Sequence, residues 1–124
     1  MPNTHLDQNF IEDQKERLLD KRQRLYEELS DLDKQDPYLQ EGRDTDNAEV
    51  VDEAILEDYA KVQIEAKKAN INKMLVQINK ALDRMQSGEY GICEITGDEI
   101  DKARLLAYPE ATTTLEAEEE SAQA

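Results

Sequence analysis

The sequence predicts a mainly α protein: a long antiparallel coiled-coil hairpin with a small zinc-finger-like module at its base. Three observations predict it. Leucines and isoleucines recur at heptad spacing in two long stretches. A segment with Pro37 and Gly42 separates those stretches. The composition is lean, with 38% hydrophobic and 36% charged residues and no Trp among 124. That apolar share is small for a compact globule but suits a narrow seam between helices.

The first helix spans residues 5–35. Ile11, Leu18, Leu25 and Leu32 repeat every seven residues, and Leu19, Tyr26 and Leu29 widen the stripe. Thr4 is the candidate N-cap, with Asp7 in the first turn. After "DKQDPYLQEG" a second helix runs from about Asn47 to Gln86, with Asp46 or Asn47 as its cap. Its apolar positions Ile64, Ile71, Leu75, Ile78, Leu82 and Met85 keep the coiled-coil cadence. Ser87-Gly88 ends it, because glycine readily takes the left-handed conformation that closes a helix. Two long helices with a short linker fold back most economically as a hairpin, whose arms reach roughly 45–55 Å at 1.5 Å per residue. The hairpin covers residues 5–87 with its tip at about 36–54, a small module covers 88–113, and 114–124 form an acidic tail expected to be disordered.

Charge excludes several functions. The formal net charge is −15, which opposes direct binding to DNA or to an anionic membrane. Residues 36–53 hold seven acids and one base, and residues 110–124 hold five acids and no base. Together the two segments carry most of the excess. No apolar run approaches the ~20 residues of a membrane span, and the N-terminus lacks the pattern of a secretory signal. A single cysteine fits a reducing cytoplasm. No glycine-rich phosphate loop or nucleophile elbow appears, so the expected protein is not an enzyme. His5, the only histidine, reads as solvated.

The stretch "YGICEITGDEI" has the turn of a zinc knuckle but only one of its thiols. Cys93 is followed three positions later by Thr96, then by Gly97. Structural zinc takes four ligands of the Cys or His type, and a threonine hydroxyl does not replace a thiolate. No cation flanks Cys93 in sequence, so nothing local argues for a lowered thiol pKa. The acids Glu49, Asp52 and Glu53 at the start of the second helix have an ordinary explanation, since carboxylates favour the positive end of a helix. Held at the end of a long hairpin, they also form a surface that fits a deep, basic or metal-bearing cavity on a partner.

Taken in order, the acidic-tipped hairpin followed by "GEYGICEITGDEIDKARLLAYPEATT" resembles the DksA/TraR family of bacterial transcription regulators. Ile100, Arg104, Leu105, Ala107 and Pro109 match the middle of that family's four-cysteine finger. The likeness is strongest over about residues 86–113. Aligned without gaps, the ligand positions are Cys93, Thr96, Thr114 and Ala117, so one thiol of four remains. The resemblance therefore implies a degenerate, zinc-free finger. It is similar to the stress-protein branch of the family, which also reads "YGICE-x-[ST]-G". Ile92, Ile95, Ile100, Leu105 and Tyr108 are the residues expected to fill the space that zinc organises.

The resemblance also implies a partner and a mode of action. Family members bind RNA polymerase through its secondary channel, with the coiled-coil tip reaching toward the active centre. The family's tip motif, Asp-x-x-Asp-x-Ala, reads here as Glu49, Asp52 and Ala54, with Glu53 beside them. The expected protein is a monomeric, cytoplasmic regulator that binds no DNA itself. Tyr108 stands where the family has an arginine, and the tail carries no bases, so little dependence on the alarmone guanosine tetraphosphate is expected. The alternative is a stress-related coiled-coil adaptor that does not act on polymerase.

Overall fold

A computed structural model describes residues 5–35 and 50–123, with side chains for 5–35 and 54–120. Four helices follow in order: α1 (Gln8–Gln35), α2 (Val50–Ser87), α3 (Lys102–Ala107) and α4 (Leu115–Gln123). α1 starts three residues later than its periodicity suggests. Asp7 caps it: the Asp7 Oδ1 accepts the Phe10 N–H at 2.7 Å. Thr4, Asp46 and Asn47 lie outside the described residues. α2 ends as expected. The Glu89 N–H reaches the Arg84 carbonyl at 2.8 Å and the Gly88 N–H reaches Met85 at 3.3 Å, with Gly88 at φ +79°. This paired closure needs the left-handed backbone that glycine adopts without strain.

The chain forms two compact units. One comprises Gln23–Met74. Its interior is a seam of Leu25, Leu32, Ile64 and Ile71, all buried, as the heptads predict. Lys68 pairs with Asp33 at 2.6 Å across it. The other unit comprises Met1–Arg22 with Leu75–Ala124. There Leu6, Leu18, Leu75, Ile78 and Ala81 are buried together with Tyr90, Ile100 and Leu105 of the module. Arg22 bonds Asn79 at 3.0 Å. Within each unit one such side-chain pair joins α1 to α2.

The module is a hairpin-like turn followed by two helices. Ile92 and Glu99 form an isolated antiparallel bridge, and the Cys93 N–H donates to the Asp98 carbonyl at 2.7 Å. The tail departs from expectation. Residues 115–123 are helical, not disordered. The Thr114 hydroxyl accepts the Ala117 N–H at 3.2 Å as an N-terminal cap, Glu116 and Glu118 sit in the favourable first turn, and Ala117 is buried. Burial of Ala117 supplies the anchoring that composition alone did not reveal. Among the described residues no helix is long and apolar enough to cross a membrane.

Candidate functional site

Two places were singled out by sequence: the acidic tip and the cysteine-poor finger. At the tip, Glu49 lies outside the described residues. Asp52 and Glu53 fall in the first turn of α2, and Ala54 follows them, exposed.

The finger is built around Cys93, which is only 2% exposed. Its turn is closed by the Gly97 N–H donating to the Cys93 carbonyl at 2.9 Å, with Gly97 at φ +78°. The Thr114 hydroxyl donates to the Cys93 Sγ at 4.0 Å and also accepts the Ala117 N–H. One hydroxyl thus joins the third ligand position to the first and the fourth. Burial pushes the Cys93 thiol up. Hydrogen bonds from the Thr96 hydroxyl and from the backbone N–H groups of Thr96, Thr114 and Ile95 outweigh it, bringing the thiol from 9.0 down to about 7. The lowered thiol was not legible in sequence, because its cause is hydrogen bonding and not a neighbouring cation.

The apolar filling differs from expectation. Ile100 and Leu105 are fully buried and Ile92 is partly buried, but Ile95 and Tyr108 are 57% and 56% exposed. Polar residues do the remaining work. Gln14, 1% exposed on α1, donates from Nε2 to the Tyr90 hydroxyl at 3.1 Å and to the Leu105 carbonyl at 2.6 Å. The Tyr90 hydroxyl donates onward to the Pro109 carbonyl at 2.8 Å. Arg17 donates to the Gln14 Oε1 at 2.7 Å and to the Leu106 carbonyl at 2.9 Å. Burial raises the Tyr90 phenol to about 12, against the opposing effects of Gln14 and Arg17. From α2, Gln77 donates to the Glu110 carbonyl and to the Thr112 hydroxyl. His5 is also engaged, with Nε2 2.9 Å from the Ile100 carbonyl. Gln14 had a signal in the sequence: it is a polar residue on the heptad face between Ile11 and Leu18.

Residues 88–121 match the prokaryotic dksA/traR C4-type zinc finger. A 78-residue segment is 37% identical to the RNA polymerase-binding transcription factor DksA of Caulobacter vibrioides, covering 62% of this chain and 54% of that protein. A 46-residue segment is 48% identical to general stress protein 16O of Bacillus subtilis, covering 37% of this chain and 28% of that protein. The matched segments thus span about half or less of these relatives. The fold matches transcription factor DksA2 from Pseudomonas aeruginosa with a TM-score of 0.74 and 28% identity, over 96% of this chain and 88% of that one. It also matches the RNA polymerase binding protein and transcriptional regulator Dks from Chlamydia trachomatis, with a TM-score of 0.59 and 25% identity, over 95% and 93%.

Residues 88–121 are a DksA/TraR-type finger, and the fold as a whole is similar to that of DksA proteins.

Among DksA/TraR fingers this one does not fit the metal that the family description implies. The four positions that the resemblance gives as ligands hold one thiol, two hydroxyls and a methyl, and zinc binding needs three or four thiolate, imidazole or carboxylate donors. Among the described residues no group of three or more His, Cys, Asp or Glu side chains is arranged to hold a metal ion. The turn is retained, and hydrogen bonds from Thr114 and Thr96 converge on Cys93.

Proposed function

We propose that this protein is a non-enzymatic regulator of transcription that binds RNA polymerase through the secondary channel, its acidic hairpin tip directed toward the active centre. The observation that carries the proposal is the extent of the fold likeness. It covers 96% of the chain against DksA2, so it includes the helical arms and not the finger alone. The net charge of −15 favours a protein partner over DNA. In this reading Glu49, Asp52 and Glu53 carry the contact, and Ala54 lets the helix end approach the partner closely. The protein acts as a cytoplasmic monomer with a metal-free finger. It needs no guanosine tetraphosphate, because Tyr108 is an exposed neutral residue and α4 has no base in its last turn.

A photocrosslinker at position Glu53, presented to RNA polymerase of the source bacterium, tests this directly. Crosslinks to loops around the catalytic centre, competed by a known secondary-channel factor, are expected. Absence of crosslinks where that factor binds would reject polymerase entry and favour a coiled-coil adaptor. Asp52→Asn is expected to abolish the transcriptional effect while leaving the thermal midpoint unchanged.

A further inference from the structure

Between α3 and α4 lies a groove of about 700 Å³. Ala103 and Ala107, one turn apart on α3, leave a shallow trough in it, and Leu115 and Tyr108 stand beside the trough with more than half of their surfaces exposed. The rim carries the carboxylates of Asp98, Glu99, Asp101 and Glu116, all exposed.

The bases near this rim are already engaged. Arg104, on the groove lining, donates to Glu118 at 2.5 Å and to the Thr113 carbonyl at 3.0 Å. Lys102, next to Asp101, lies over the Phe10 ring at 5.0 Å. The Glu99 Oε2 lies 4.0 Å from the His5 Nδ1. Among the described residues no ion pair joins Asp98, Asp101 or Glu116 to a base, so the groove presents apolar residues inside an acidic rim.

We infer that this groove docks a segment of a partner protein bearing an aliphatic or aromatic anchor flanked by lysine or arginine. The anchor seats over the two alanines against Leu115 and Tyr108, and the basic flanks meet the rim. Charge complementarity chooses the sign of the partner, and the apolar floor distinguishes a seated segment from diffuse attraction to an acidic protein. The surface uses residues 98–116 and is independent of the tip reading. It stands whether or not the tip enters polymerase.

The test is an NMR titration of the isotope-labelled full chain with two synthetic helical peptides of equal charge, one Leu/Lys and one Ser/Lys. The Leu/Lys peptide is expected to shift the amides of Ala103, Ala107 and Leu115 most, and to bind about tenfold more tightly than the Ser/Lys peptide. Its affinity should fall between about 50 and about 200 mM salt. Ala107→Glu separates the two causes by sign, since it fills the trough while adding negative charge. Seated binding weakens about fivefold or more, whereas purely electrostatic attraction strengthens. Ala103→Glu repeats the comparison should Ala107→Glu disturb the fold. Equal affinity of the two peptides, shifts centred elsewhere, or unchanged or tighter binding by the Glu variants would overturn the inference.

Discussion

The Gln23–Met74 unit and the finger-bearing unit are held together by different chemistry. The first is an apolar seam, with Leu25, Leu32, Ile64 and Ile71 as its buried residues. Such a seam needs hydrophobes of about the right size at the right period, and little else. The second unit contains both buried polar residues found among the described residues, Gln14 and Thr112, together with the Tyr90 and Cys93 hydrogen-bond sets. The family's finger description names a four-cysteine zinc site; here the finger holds one cysteine within a small apolar core and a set of directional hydrogen bonds. A network of that kind demands particular partners, since one missing partner leaves a buried polar group unsatisfied.

The largest effect should come from the finger's apolar core. Leu105→Ala is expected to cost about 2–5 kcal/mol, because the side chain is fully enclosed and leaves a cavity. Urea denaturation beside Leu25→Ala sharpens the comparison, and a smaller loss for Leu105→Ala would show the finger's core to be dispensable. Tyr90→Phe comes next. It removes one oxygen, leaves the Pro109 carbonyl and one Gln14 donor without partners, and is expected to cost about 1–3 kcal/mol. Amide exchange should quicken in residues 88–113 and stay unchanged in 23–74.

Thr114→Val, nearly equal in shape, deletes the link to Cys93 and the cap on α4, for about 0.5–2 kcal/mol. The same protein, treated with a chelator, is expected to keep its thermal midpoint. Stoichiometric zinc in protein purified without added metal would break the comparison altogether. The smallest effect is on pH dependence. Because folding lowers the Cys93 thiol from 9.0 to about 7, the thiolate is favoured in the folded chain. Stability should therefore climb as pH rises from about 7 to about 9 and be lost as pH falls through about 7, and Cys93→Ser should flatten that climb.

Much of this architecture was legible before any coordinates. The heptads of α1 and α2 named the buried residues Leu18, Leu25, Leu32, Ile64, Ile71, Leu75 and Ile78, because helical periodicity is a local property, whereas Leu19 and Tyr26, expected to widen the stripe, lie off the seam and are 37% and 48% exposed. Gly88 marked the end of α2 for the same local reason. The finger was harder to read. Its turn and its missing thiols were visible, but Ile95 and Tyr108 were expected inside and lie outside. In a short irregular segment no period tells inward from outward. The C-terminal helix was hidden as well, since its acidic composition says nothing about the buried seat that Ala117 finds.

The amino-acid sequence by itself determined the two long helices, their seam, the concentration of negative charge and the single cysteine of the finger. Each of these follows from residue type and spacing along one chain. Only the tertiary structure decided how a finger with one cysteine is held together. Gln14 meets Tyr90 and Leu105 across 76 and 91 residues of sequence, and Thr114 meets Cys93 across 21. Contacts of that range depend on how helices and turns pack, and a hydrogen bond exists only where packing brings donor and acceptor within reach.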